Sequence, residues 1–116
     1  MASARPLDLT RVVRDRVTSV ADDTRYQISM AIEPHPMLVT IVEDDLRRVL
    51  DLLIENSRDA GQILFAVYST EDYRRVRLEL AGRLPVSEEV RRIVTQWGGT
   101  YTADRMTTTI ELPRSR

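Results

Sequence analysis

Residues 52–61 read LLIENSRDAG and place an amide, a carboxylate and a glycine at the end of an apolar-periodic stretch, where a plain helix needs none of them. The amide is Asn56. Its oxygen can ligate a hard cation, which takes oxygen donors and keeps most of its waters. It can equally cap the helix end or face solvent, and from spacing alone that is the simpler account. The other groups able to do chemistry are sparse. His35 is the only histidine and lies between Pro34 and Pro36, in the setting of an exposed turn. With no cysteine and no second histidine it has no partner for a metal site. Phosphoryl-accepting histidines project from a helix in a bundle, and no such helix surrounds it. Ser57 and Ser87 lack a nearby histidine that could activate them, and both read as helix-end residues.

The elements that must position these groups follow from hydrophobic period. Leu9, Val12, Val13, Val17 and Val20 recur at helical spacing, with Asp8 or Thr10 as cap, and predict a helix from Leu7 to Ala21. YQISMAI alternates Ile28, Met30 and Ile32, the period of a strand. The prolines of EPHP withhold donors and predict a turn, so MLVTIV reads as the returning strand of a hairpin. Leu46, Val49, Leu50, Leu53, Ile54 and Ser57 form one helical stripe, opened by Asp44 or Asp45 and closed by a left-handed cap at Gly61. ILFAVYS is apolar on both faces, as a central strand would be. Val76, Leu78 and Leu80 alternate with Arg75, Arg77 and Glu79, a strand with one wet face.

Ser87 caps a third helix, whose buried stripe is Val90, Ile93, Val94 and Trp97. Gly98 and Gly99 end it, and TYTA with TTTIEL makes a closing hairpin before Pro113. The methionines at 30, 37 and 106 fall in strands or at strand ends, as core residues do. The order helix, strand, strand, three times over, predicts an α+β two-layer sandwich: three helices on one face of a mixed, mostly antiparallel sheet.

Composition narrows the function classes. One domain covering 1–116 is expected from 116 residues with 42% hydrophobic and 30% charged content. Zero cysteine removes disulfide frameworks and thiolate metal sites, and fits a reducing compartment. No run approaches the roughly 18 apolar residues of a membrane span, and MASARPLDLT lacks a secretory core; a cytoplasmic protein is expected. A net charge of -1 exerts no global pull on nucleic acid or membrane. The arginine clusters at 47–48, 74–77 and 91–92 sit beside acids and read as solvated faces, and the few aromatics are too scattered to form a stacking platform.

Three segments carry a family resemblance over nearly the whole chain. PLDLTRVVRDRV resembles the opening helix of the ATP-binding domain of sensor histidine kinases, a superfamily (GHKL) shared with type II topoisomerases and MutL repair proteins. VEDDLRRVLDLLIENSRDAG resembles its asparagine box, with ENSRDAG close to the MutL version. RRIVTQWGGTYTADRMTTTIELP resembles the closing helix, double glycine and final hairpin. The resemblance implies that Asn56 stands where family members bind the magnesium that bridges the nucleotide phosphates.

The departures from that pattern are as telling. Hydrolysing members place a water-polarising glutamate four residues before the asparagine; here the residue is Leu52, and Asp51 and Glu55 lie well round the helix. The family's Asp-Asn-Gly-x-Gly, whose aspartate reads the adenine amino group, corresponds to Leu80, Ala81 and Gly82, with the second glycine lost. Only VSEE separates Pro85 from the third helix, with no room for a nucleotide lid, and Glu88 and Glu89 occupy a helix end that would otherwise attract phosphate. The resemblance therefore implies a degenerate domain with no cofactor and no catalytic residue. It would act by binding proteins such as a kinase helical bundle or a response-regulator receiver. The competing expectation is a sensor-kinase catalytic domain that still binds ATP and magnesium around Asn56. A third is a structural domain that forms homodimers.

Overall fold

The carboxylate of Asp8 decides where the first helix begins. Its Oδ1 accepts the backbone N–H of Thr10 and that of Met37, each at 3.1 Å. One oxygen thus caps the helix and ties its start to a segment 29 residues away. The helix starts two residues later than its period suggests because Pro6–Asp8 is a short strand. The computed structural model describes residues 5–20, 27–33, 35–57 and 62–115. Its elements are β1 (Pro6–Asp8), α1 (Leu9–Val20), β2 (Gln27–Ile32), β3 (Leu38–Thr40), α2 (Glu43–Asn56), β4 (Gln62–Ser69), β5 (Arg75–Ala81), α3 (Glu88–Gln96), β6 (Thr100–Ala103) and β7 (Thr107–Pro113).

The expected hairpin between 27–32 and 37–42 does not form. β2 joins β4 in parallel, Ile28 beside Ile63 and Ile32 beside Val67, while β3 pairs with β1 in a separate two-stranded sheet. A period of two reveals a strand and says nothing of its partner. EPHP therefore connects two sheets, and the crossover that a parallel pair requires contains β3 and α2. The five-stranded sheet has the order β2-β4-β5-β7-β6, antiparallel except at β2-β4. Residue 39 sits between the sheets: Val39 faces Leu7 on one side and bridges Arg114 on the other. The N–H of Ser115 donates to the carbonyl of Leu38 at 2.8 Å.

Three helices and a mixed sheet thus make the α+β sandwich that the periodicity predicts. The inward face carries Ile63, Phe65 and Val67 of β4, Val76, Leu78 and Leu80 of β5, and Ile110 and Leu112 of β7. These join the stripes of all three helices in one core. Each fully buried Leu, Ile or Phe there contributes roughly 1.5–3 kcal/mol. β4 is interior, as expected, but not apolar-covered on both faces: Leu64 is 38% exposed on the outer side. Of the described methionines only Met37 is core; Met30 and Met106 are exposed.

The helix ends differ in how they are capped. Ser87 caps α3, its Oγ accepting the Val90 N–H at 3.3 Å. At α2 the residue before the helix is Val42, with no side-chain cap, and Glu43, Asp44 and Asp45 all lie in the first turn, where they oppose the positive helix end. Asp45 instead accepts the indole N–H of Trp97 at 2.8 Å, which leaves Trp97 half-buried between α2 and α3. The cap expected at Gly61 lies outside the described residues. Among those described, no helix is long and apolar enough to cross a membrane.

Candidate functional site

Asn56 is the last residue of α2 and half-buried. None of the hydrogen bonds between described residues uses its side chain. Ser57 behind it is 2% exposed and turns its hydroxyl back to the Ile54 carbonyl at 2.6 Å. One turn before Asn56, Leu52 is half-buried against the core. Asp51 pairs with Arg16 of α1, and Glu55 is exposed. Of the carboxylates on α2 only Asp45, two turns before Leu52, shares the Leu52–Asn56 face, and it is held by the Trp97 indole N–H.

The end of β5 lies at the same end of the sheet, because Ala81 pairs with Leu64 near the start of β4, five residues beyond Ser57. Leu80 is fully buried between Phe65 and Thr108. Gly82 follows with φ +148°, a region that side chains rarely adopt. A Cβ there would overlap Cδ1 of Ile63 and approach the Gln62 carbonyl to 3.3 Å. The space above this glycine is thus filled by a core side chain. Leu84, two residues on, also turns inward at 7% exposure. Gly82→Ala is expected to cost roughly 2–3 kcal/mol in urea denaturation. With Ile63→Val in the same chain the loss should shrink by the part due to overlap, leaving the backbone term.

The N-terminal end of α3 is occupied by the protein's own groups. Ser87 N–H donates to the Tyr101 hydroxyl at 3.0 Å, and Val90 N–H to Ser87 Oγ. Glu89 accepts both Nε and Nη2 of Arg48 at 3.1 Å, a bidentate pair joining α2 to α3. Glu88 pairs with Arg91, whose guanidinium lies 5.4 Å from the Tyr101 ring centre. These ion pairs are exposed and add little to stability, but they fix where the two acids point. The roles of Tyr101 and Ile63 had no local signal in the sequence, since each acts on a segment far from it in the chain.

The remaining chemistry-bearing groups lie apart from this end. His35 is exposed, its Nε2 2.8 Å from Glu33 Oε2. It lines an open hollow of about 380 Å³ with Asp8, Thr10 and Arg14. Among the described residues no three His, Cys, Asp or Glu side chains group as metal ligands do. On the outer face of the sheet, Tyr68 donates to Glu79 at 2.7 Å, and Arg77 grips Glu111 Oε2 at 2.7 and 3.0 Å. Burial pushes the Tyr68 hydroxyl above its ordinary pKa, opposed by the Arg77 N–H and aided by Glu79. Tyr68, Arg77 and Glu111 border an open hollow of about 720 Å³, on the sheet face away from the helices.

No protein-family model matches the chain, and no curated protein matches it. Solved structures do. The ATP-binding domain of PrrB from Mycobacterium tuberculosis aligns over 99% of this chain and 100% of its own, with a TM-score of 0.82 and 16% identity. The catalytic domain of the histidine kinase ThkA aligns over 97% and 98%, with a TM-score of 0.79 and 14% identity. The histidine kinase domain of the Escherichia coli osmosensor EnvZ aligns over 100% and 92%, with a TM-score of 0.76 and 16% identity. At such identities the likeness is one of fold. The chain has the fold of the histidine-kinase ATP-binding domain.

Proposed function

We propose that this chain is a histidine-kinase-type ATPase domain that has given up nucleotide and works in two-component signalling by contacting other proteins. The observation that supports it most is the burial of Leu80. The position where the fold's relatives would read adenine holds a leucine with no exposed surface, locked between Phe65 and Thr108. An adenine amino group placed there would lose its water and gain no acceptor, a penalty of about 1–3 kcal/mol for that one group. The phosphate end is equally unsuited. Glu88 and Glu89 put two negative charges on the helix end that would face a triphosphate. Asn56 is then the retained member of a metal–phosphate position whose neighbours have changed, and it carries no metal. The partners this reading favours are a kinase helical bundle or a response-regulator receiver, the proteins with which such domains work.

Melting temperature and Trp97 fluorescence, followed during titration with ATP and magnesium, test the proposal. Ligand at a hundred times its dissociation constant would add about 2.7 kcal/mol of stability. The expected outcome is a flat response up to millimolar ATP. A saturable upward shift that Asn56→Ala abolishes would replace this reading with that of an ATP-binding catalytic domain.

A further inference from the structure

The five-stranded sheet ends in two edges of different character. β6 is short, Thr100–Ala103, and is followed at once by Asp104 and Arg105. β2 is longer, and its six residues QISMAI contain no charge, proline or glycine. Proteins guard such edges with charge, proline or a bulge, because unpaired main-chain groups invite another strand. Ser29, Met30 and Ala31 are all exposed, so both faces of β2 are open at its centre. Among the described residues nothing pairs with its outer side.

The ladder fixes which groups point outward. Glu33 N–H donates to the Val67 carbonyl of β4, so the odd-numbered residues of β2 turn their N–H and C=O inward to β4. Ile28, Met30 and Ile32 consequently turn theirs to the outer edge. The same three side chains lie on the helix side of the sheet, in register with Ile63, Phe65 and Val67. Ile28 and Ile32 are only partly covered by the core, and Met30 is 38% exposed.

We propose that β2 is a self-pairing edge, joined antiparallel to β2 of a second copy about a two-fold axis at Met30. The sequence is self-complementary in that register. Ile28 faces Ile32 of the second copy, Met30 faces Met30, and Ser29 faces Ala31. Every outward N–H and C=O of the three even-numbered residues then meets a partner, giving about six main-chain hydrogen bonds. The Ile–Met–Ile rows of the two copies abut and extend the core-side apolar surface across the axis, while the small side chains of Ser29 and Ala31 leave the outer face unobstructed. Two five-stranded sheets become one, with the helices of both copies on the same side. No charged residue within either strand opposes the pairing. A strand-sized contact is small, so the association is weak and rises with concentration.

Sedimentation equilibrium on the 116-residue chain, from roughly micromolar to about 1 mM, tests this. The average mass should climb from 13.3 kDa towards twice that value. Met30→Pro removes an outward donor without touching the β4 ladder, and Met30→Lys sets two ammonium groups together on the axis; both should stay monomeric. Met106→Lys, at the exposed β6–β7 turn, should associate like the parent. Amide exchange at Ile28, Met30 and Ile32 should slow with concentration in the parent alone. If Met30→Pro does not fold, Met30→Lys carries the comparison. A parent chain that stays monomeric at 1 mM overturns the proposal, as does a folded Met30→Lys that dimerises like the parent.

Discussion

Leu80→Asp loses at least about 3–5 kcal/mol of stability and gains no affinity for ATP. The substitution restores the residue type that the fold's nucleotide-binding relatives use to read adenine, so the outcome separates a dormant site from a filled one. Leu80 has no exposed surface and lies on the inward face of β5, between strands on both sides. A carboxylate there loses its water and sits between Phe65 and Thr108 across the strands, with Leu78 beside it on the same face. Burial of an uncompensated charge and the loss of leucine packing act together. Leu80→Met, which conserves volume, should cost less than about 1.5 kcal/mol and so reports on packing alone. Urea denaturation of the three chains gives the comparison. A soluble, folded Leu80→Asp chain whose melting temperature rises with ATP would mean that this side chain can turn towards ligand and that the core reading of β5 is wrong.

Gly99→Ala costs roughly 3 kcal/mol, more than Gly98→Ala at about 1 kcal/mol. Backbone conformation alone would predict the reverse order. Gly98 has φ +77°, the left-handed residue that ends α3, whereas Gly99 needs no such conformation. The difference lies in what surrounds them. A Cβ on Gly98 meets only Pro113 Cγ, at an ordinary 3.6 Å. A Cβ on Gly99 would overlap the Glu111 carbonyl oxygen and stand 2.8 Å from Val94 Cγ1 and 2.9 Å from Leu112 Cδ2. A carbonyl held in the β6-β7 ladder cannot step aside as a flexible side chain can. The glycine therefore marks where α3, β6 and β7 close upon one another. Chemical denaturation of the two single variants checks the order, and equal losses would show that the hairpin shifts to admit a methyl group.

The parts of this fold written in local period were legible. The stripe from Leu46 to Ile54, the alternation of Val76, Leu78 and Leu80, the Ser87 cap and the double glycine each announce themselves within one turn or strand. What escaped was pairing at a distance. Nothing in QISMAI says that its partner is β4 rather than the strand that follows it, and PLD is too short to have a period. Asp8 was legible as a cap but not as the acceptor for Met37, because that bond closes only when β3 has found β1. At the candidate site, the identities of Leu52, Leu80, Glu88 and Glu89 were plain. That Ile63 fills the space above Gly82, or that Tyr101 takes the Ser87 N–H, required the sheet to be assembled first.

The position of Val39 has a consequence for the ends of the chain. One strand, β3, separates the arriving segment Pro6–Asp8 from the departing Arg114–Ser115, which puts the two roughly 10 Å apart. Both run antiparallel to β3, so they are parallel to each other and lie on one side of the molecule, the chain arriving at the Thr40 end of the ladder and departing at the Leu38 end. That geometry makes the domain suited to circular permutation: a flexible link could run back along the ladder to join the two, and new termini could open at the exposed Glu71–Asp72 turn.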